Sequence, residues 1–520
     1  MSPLDWVVVG SYLFGLFVLA LWCARKQESG DDYYLAGRDL SALSLATSTI
    51  ATQCSTNSLL GAPAFVGFVA GGGMIWLQYE LAVPLAMLAL AYLLLPMRRS
   101  NQVSIYGFLE DRLGRSSRLL ASGCFLVFRG VATGVTVYGV AIVLELLLGV
   151  SYTSAVLLLM VVTISYDLLG GLRAVVISDV VQTILIVLSI FVGLGFLMLD
   201  AGHLDLFARE RADTIHLDWG VSGGDHYGLW PMLFGGFFLY CAYYGCDQSQ
   251  TQRVLATSSP QQTGRVLLFN GLLRFPLVLL YCLLGLALAS YAARYPGFLA
   301  SLPLTNDGSP NLNLVFPAYV IQQFPIGLVG LVMVGIFAAA MSSIDSALNS
   351  LSAATVEDFW FGGSRAGRPE QRLVAGRIAT IGWGVFVLVF SYQVETIAPT
   401  VLEAINKIGS FANGPLLALF TIALLCPQVG ERCAILAFAC GLFVNCAVSY
   451  FLPGVSWLWW NLIGFGVAMG LACACGGYRD LSRVSDSLSE PIANQIRPWL
   501  LGGFGLIAII CLWIDRLSTS

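Results

Sequence analysis

Thr49-Ile50-Ala51-Thr52-Gln53-Cys54-Ser55-Thr56-Asn57-Ser58 sets hydroxyls and amides in the middle of an apolar segment running from about residue 44 to 69. An unsatisfied polar group in hydrocarbon costs several kcal/mol, so such a run is tolerated at mid-membrane depth only where it lines a cavity. With Gly61 and Pro63 following, the stretch reads as a helix unwound at its centre, whose freed carbonyls are ready cation ligands. A second interruption, Tyr243-Tyr244-Gly245-Cys246-Asp247-Gln248-Ser249-Gln250-Thr251-Gln252, comes five spans later. Paired broken helices in corresponding positions of two five-helix halves point to an inverted-repeat fold with a central binding site.

The surrounding composition agrees. The chain is 57% hydrophobic and 11% charged, with a mean hydropathy of +0.80, where soluble domains carry about a quarter charged residues. It is therefore expected to be an all-α polytopic membrane protein of a cell membrane, inner or plasma, embedded in lipid. Met1 to Cys23 lacks a basic n-region and a small-residue cleavage site, so it reads as a retained helix. The net charge of -4 and the absence of a basic stripe argue against nucleic acid. Most of the 13 cysteines lie in apolar runs as small hydrophobes, and Cys473-Ala-Cys475 lacks a second ligand pair for zinc. His203, His216 and His226 fall together in one polar loop, read as solvated.

Apolar segments of about 20 residues, each long enough to span the bilayer, recur near 5–23, 44–69, 74–97, 119–148, 153–171, 175–199, 229–248, 266–291, 326–353, 375–394, 398–426, 431–452, 455–476 and 498–516. That is about fourteen helices. Arginines such as Arg38, Arg98, Arg118, Arg173, Arg253, Arg372 and Arg432 fall on alternate connections, while Arg209, Arg211, Arg294 and Arg516 fall opposite. The positive-inside rule makes the first set cytoplasmic and places both termini outside, extracellular or periplasmic. The expected organisation is an N-terminal extra helix (1–30), a first repeat (31–200), an outer loop (201–228), a second repeat (229–430) and three C-terminal helices (431–520).

The ninth of these spans carries Ala338-Ala339-Ala340-Met341-Ser342-Ser343-Ile344-Asp345-Ser346. Ser342 and Ser343 stand about 100° apart on a helix, and Ser346 returns to the Ser342 face at i+4. Oxygen without sulfur or imidazole suits a hard ion. Serines also let membrane helices pack closely, but three hydroxyls beside a carboxylate favour a small-cation site.

At this point the chain resembles a known family. Asp32-Tyr33-Tyr34-Leu35-Ala36-Gly37-Arg38, Gly170-Gly171-Leu172-Arg173-Ala174-Val175 leading to Asp179 and Gln182, Asp247-Gln248-Ser249-Gln250-Thr251-Gln252-Arg253 and Ala354-Thr355-Val356-Glu357-Asp358 are similar to motifs of the sodium:solute symporter family. The resemblance runs from about residue 30 to 430. It implies a LeuT-like core of ten helices in two inverted repeats, one extra helix before it and three after. It also implies a sodium ion held by the carbonyls of Ala51, Cys54 and Ala339 and the hydroxyls of Ser342 and Ser343. Some members hold a second sodium; here Asp179, Ser342, Asp345 and Ser346 would form it, although Asp345 stands where such members have a serine. Asp179 could instead pair with Arg173 or another cytoplasmic cation. Asp345 is open to three readings: an ion ligand, a proton site or the partner of a basic residue.

Solute sites in such folds lie at the midplane between the repeats. By position the candidates are Gln53, Ser55, Asn57, Ser58, Gln78, Glu80, Gln248, Ser249 and Asn406, whose amides, hydroxyls and carboxylate read polar organic solutes. Two arginines lie inside apolar runs. Arg274 matches a basic position of sugar-transporting relatives. Arg129 resembles the arginine with which some carboxylate-transporting members hold an anion by a bidentate pair. Arg129 could equally be salt-bridged to Glu80 or Glu145. The expected activity is sodium-coupled symport of a small polar solute, an organic anion such as a sialic acid or a monocarboxylate, by a monomer or weak oligomer. A neutral solute such as a sugar is the alternative, and a membrane sensor the alternative class. No catalytic triad, metal cluster or phosphate loop lies in the membrane, so an enzyme is not expected.

Overall fold

Where each helix starts, stops or breaks follows from a few side chains. The computed structural model describes residues 2–519 apart from 26, 28, 55, 99–101, 202–206, 222–225, 306–307, 363–368, 395–400 and 477–488. Among the described residues the principal helices are α1 (Pro3–Ala24), α2 (Ala42–Gln53), α3 (Thr56–Phe68), α4 (Ala82–Arg98), α5 (Arg115–Leu148), α6 (Tyr152–Ala201), α7 (Gly236–Cys246) and α8 (Gln248–Leu255). They continue with α9 (Pro260–Arg294), α10 (Leu328–Ala354), α11 (Pro369–Ser391), α12 (Val401–Leu425), α13 (Glu431–Phe451), α14 (Leu458–Gly476) and α15 (Ser489–Thr519).

Helix α1 opens on a capping box, with Ser2 Oγ accepting from Asp5 N and the Asp5 carboxylate accepting from Ser2 N. The other carboxylate oxygen of the buried Asp5 accepts from the backbone N–H groups of Gly327 and Gly330, each at 2.8 Å, which ties the start of α1 to the start of α10. Helix α6 is 50 residues long and folds back at Gly171, where φ is 54° and ψ is -167°, a conformation open to glycine alone. A Cβ there would stand 2.8 Å from the Tyr33 ring and the Tyr33 carbonyl.

Among the described residues, eleven helical stretches are long and apolar enough to cross a membrane. Gly171 divides the α6 stretch into two spans, and the pairs α2–α3 and α7–α8 each form a broken span, which gives fourteen. Most boundaries lie within a few residues of those read from hydropathy, but the seventh span continues through α8 to Leu255 and α15 begins at Ser489 rather than near 498.

The breaks are shorter than the sequence suggests. Thr49 to Gln53 are helical, α3 begins at Thr56 with Gly61 and Pro63 inside it, and Cys54 is the described residue at the first interruption. Cys54 caps α2 with φ -85° and ψ 60°. The second break is Asp247 alone, which leaves α7 in an extended conformation and caps α8. Polar side chains at helical positions around each break face the interior, which is why composition exaggerated the unwinding.

Helix α10 is the centre of the bundle. It packs against α1, α2, α3, α5, α6 and α11, and nearly all its side chains are buried. Helices α12, α13 and α14 pack on one another, and α15 lies along α4 and α9.

Candidate functional site

The break at Cys54 brings α2 against the middle of α10. Ser342 Oγ lies 3.3 Å from the Ala51 carbonyl and 3.0 Å from the Ala339 carbonyl, and Ser343 Oγ donates to the Thr52 carbonyl at 3.1 Å. One hydroxyl proton cannot serve two carbonyls fully, so the group has more oxygen acceptors than donors. An oxygen-only set with surplus acceptors, buried but for the half-buried Ser343, fits a small hard cation. The Cys54 carbonyl accepts from Tyr281 Oη at 2.9 Å. Four of the five expected sodium ligands, Ala51, Ala339, Ser342 and Ser343, thus meet at one α2–α10 contact, with Cys54 at the adjoining helix end.

A second polar cluster lies one turn away. Asp179, Asp345 and Ser346 are all fully buried, as is Arg253. Asp179 accepts from Ser48 Oγ at 2.5 Å and lies 3.7 Å from the Arg253 guanidinium, while Asp345 accepts from the Ser346 backbone N–H at 2.6 Å. Ser346 Oγ is bonded to Arg253 and to Thr52 Oγ1. Asp179 Oδ1 and Asp345 Oδ2 have no hydrogen-bond partner. The cation facing Asp179 is therefore Arg253, not Arg173, which pairs with Asp39 at 2.5 Å. Arg253 and Arg118 are buried, so neither is the solvated loop charge that orientation counting assumed.

Between the repeats lies a cavity lined by Thr52, Gln53, Asn57, Ser58, Arg129, Arg274, Ser343 and Asn406, with aromatic walls from Trp76, Tyr79, Tyr240 and Tyr243. Thr52 and Ser343 belong both to this lining and to the α2–α10 oxygen cluster. Arg129 Nε and Nη2 both donate to Asp247 Oδ2, and its guanidinium sits 5.1 Å from the Tyr243 ring centroid. Its partner is thus neither Glu80 nor Glu145. Glu80 instead holds Arg274, with Arg274 Nη2 donating to Glu80 Oε1 at 2.9 Å and to Tyr240 Oη at 2.7 Å.

Four candidates picked by position lie outside the lining, for a common reason: they satisfy buried backbone or charge. Gln78 accepts from the His216 backbone N–H at 2.9 Å and donates to the Tyr227 carbonyl at 3.2 Å. Gln248 accepts from Ile105 N at 2.9 Å and donates to the Val103 carbonyl at 2.8 Å. Ser249 Oγ donates to Asp247 Oδ1 at 2.5 Å, and Glu80 stands behind Arg274. Ser55 lies outside the described residues.

Asp247 was not among the expected site residues, although it opens the Asp247–Arg253 motif and sits where an N-cap aspartate belongs. Nor were the cavity aromatics, which composition does not separate from lipid-facing ones. No group of three or more His, Cys, Asp or Glu side chains is placed to hold a metal among the described residues.

The scattered motifs converge on one end of the bundle. Tyr34 Oη is 2.9 Å from Ser352 Oγ, Tyr33 Oη donates to the Asp167 carbonyl at 3.2 Å, and Gln252 Nε2 donates to both Tyr34 O and Asn349 Oδ1. Arg118 donates to Asp358 at 2.7 Å, whose other oxygen accepts from Ser104 and Ser122. Arg372 reaches both oxygens of Glu357.

The sodium:solute symporter family profile matches residues 33–441. Among curated relatives the chain is 27% identical over 506 residues to the sodium/sialic acid symporter NanT of Aliivibrio fischeri, covering 95% of this chain and 96% of that protein. It is 26% identical to the sodium/sialic acid symporter SiaT of Proteus mirabilis, covering 86% and 90%. It is 28% identical to the sodium-dependent multivitamin transporter of Oryctolagus cuniculus, covering 85% and 70%. The solved structure of a Na+-coupled sialic acid symporter in a substrate-bound, outward-open state superimposes with a TM-score of 0.81 at 22% identity, covering 91% of this chain and 97% of that one. A nucleobase-cation-symport-1 family transporter shares the fold at a TM-score of 0.55 and 14% identity, covering 88% and 97%. The fold is LeuT-like, and the protein is a multi-pass membrane transporter coupled to sodium rather than an enzyme. With the profile spanning most of its length, this chain belongs to the sodium:solute symporter family.

Proposed function

We propose that the protein imports a small organic anion, a carboxylate of the sialic acid kind, together with sodium by alternating access. The observation that carries this reading is the shared wall: Thr52 and Ser343 border both the oxygen cluster and a cavity lined by two arginines. A cation that orders the α2–α10 contact thereby orders one face of the solute cavity. Coupling requires that each ligand bind one conformation better than the other, and a shared wall supplies that linkage. The sialic acid relatives support the solute class. Loops rich in arginine support an orientation with both termini outside, and a monomer suffices for the site.

The Asp179, Ser342, Asp345 and Ser346 cluster is proposed as the place of a second sodium. One positive charge moving inward through 100 mV yields about 2.3 kcal/mol, and a tenfold sodium gradient adds about 1.4 kcal/mol. A univalent anion entering with a single sodium forfeits the electrical part, and a second sodium restores it.

Purified protein in proteoliposomes, with an inward sodium gradient, is expected to accumulate a radiolabelled sialic acid and to accumulate it further when the interior is made negative. Absence of sodium-driven uptake of a sialic acid, with retained uptake of a neutral sugar, would overturn the anion assignment.

A further inference from the structure

The cysteines of the last three spans pair in a way that their order along the chain hides. Cys473 and Cys475 stand two residues apart on α14, about 200° around the helix, so their thiols face different neighbours. The Cys473 side chain comes within hydrogen-bonding reach of Cys426, just past the end of α12, and the Cys475 side chain within reach of Cys433 on α13. Contacts made without the thiols hold these elements together. A Cβ on Gly476, the last residue of α14, would lie 3.0 Å from the Val429 backbone nitrogen in the turn between α12 and α13. One on Gly441 of α13 would lie 2.6 Å from the Gly464 carbonyl of α14. Helices that touch backbone to backbone in both places leave two facing cysteines little distance to close before a disulfide forms.

All four side chains are free thiols, and no group of three metal-ligating side chains forms among the described residues, so their chemistry is that of two dithiols rather than of a thiolate-held metal. The pairs differ in access. Cys426 is buried, whereas Cys475 is exposed and Cys433 is half-buried beside the exposed Arg432. Cys433 also lies two residues from Glu431, whose Oε1 accepts from the backbone N–H groups of Ser116 and Ser117 at 2.6 and 3.1 Å and so caps α5. Helix α5 packs against α10 and lines the cavity with Arg129 and Thr133. Whatever holds the start of α13 therefore bears on a helix of the transport core.

We propose that Cys433 and Cys475 are a redox-responsive dithiol, which hydrogen peroxide converts to a disulfide that staples α13 to α14. The thiolate of the exposed Cys475 attacks one peroxide oxygen; the O–O bond breaks, hydroxide leaves with its electron pair, and the sulfur is oxidised to a sulfenic acid. The Cys433 thiol loses its proton and attacks that sulfur; the S–S bond forms, the S–O bond breaks, and the oxygen leaves as hydroxide. Each hydroxide takes one of the two thiol protons, so two thiols and one peroxide give one disulfide and two waters. A dithiol reductant returns the two electrons by exchange and is itself oxidised to a disulfide. Resting on the orientation proposed above, with both termini outside, this end of α13 and α14 faces the cytoplasm, where glutathione keeps the pair reduced until oxidant rises. The staple then fixes the start of α13, and with it the Glu431 cap on α5.

The test treats the full-length protein in proteoliposomes with hydrogen peroxide, alkylates the remaining thiols and maps the peptides by mass spectrometry. A cross-linked peptide joining Cys433 to Cys475 is expected in the wild type and in Cys426→Ala. It should be missing from Cys433→Ala and Cys475→Ala, and should disappear from the wild type after a dithiol reductant. The melting temperature is expected to rise on oxidation of the wild type and to stay in place in Cys475→Ala, which alters only an exposed position. Oxidation of Cys475 to the sulfinic or sulfonic acid with no cross-link, or a cross-link to another cysteine, would overturn the pairing. A Cys433–Cys475 cross-link with no rise in melting temperature would overturn the staple. Labelling of Cys475 by a membrane-impermeant maleimide, in intact cells and in inside-out vesicles, tests the orientation separately. Labelling in the vesicles alone is expected, and labelling in intact cells alone would overturn the cytoplasmic switch while leaving the disulfide chemistry standing.

Discussion

The hydroxyl of Ser342 lies 3.3 Å from the carbonyl of Ala51, a residue 291 positions earlier in the chain. This contact joins the middle of α10 to the last turn of α2, and both helices supply oxygens to the proposed cation site. Ser342→Ala removes one ligand and adds no bulk. The apparent sodium affinity for uptake is expected to fall at least tenfold, equivalent to about 1.4 kcal/mol, while thermal stability without sodium stays near that of the parent. Sodium activation curves of the two proteins in proteoliposomes check this, and superimposable curves would remove Ser342 from the site.

Arg253 and Asp179 are each fully buried and face each other at 3.7 Å. Breaking such a pair leaves an uncompensated charge, at a cost of about 3–5 kcal/mol. Arg253→Met is therefore expected to lower thermal stability sharply. The double variant with Asp179→Asn should be more stable than Arg253→Met alone, because the stranded charge is gone. Melting curves of the single and double variants measure the difference, and strictly additive losses would show that the two groups act independently.

Gly171→Ala tests the fold at its sharpest turn. The left-handed φ of 54° and the Tyr33 contact at 2.8 Å both oppose a side chain. A loss of about 1–3 kcal/mol is expected from backbone strain alone. Retention of the parent melting temperature would mean that the α6 turn is more pliable than its geometry indicates.

Gln248 separates structural amides from solute-reading ones. Both ends of its side chain hold the backbone of Val103 and Ile105. Gln248→Ala strands those groups, at about 1–3 kcal/mol, and is expected to lower stability while leaving the solute KM of the surviving protein unchanged. A raised KM with parental stability would return Gln248 to the cavity.

Much of this architecture was legible in the sequence because hydrocarbon imposes a strict rule: any polar group inside it must have a reason. Hydropathy alone placed the spans, and the Ser342–Ser346 cluster and the Cys54 break stood out against their apolar surroundings. The same rule does not say which reason applies. Gln78, Gln248 and Arg129 are all polar residues in apolar runs, yet the first two satisfy backbone and the third is matched by Asp247. Such pairings depend on which helices meet, and Asp179 found Arg253 rather than the nearby Arg173 because the second helix break turns α8 inward. The motifs at Tyr33, Gln252 and Asp358 resembled a family before they had a physical role. Their hydrogen bonds now supply one, by locking one end of the bundle.

On the proposed reading, sodium and solute bind as linked ligands across the wall formed by Thr52 and Ser343. The most direct measurement is the dissociation constant of a sialic acid for the purified protein with and without sodium, paired with that of sodium with and without the solute. Sodium is expected to tighten solute binding, and the solute to tighten sodium binding by the same factor, as linkage requires. Solute binding that is unchanged by sodium would contradict it.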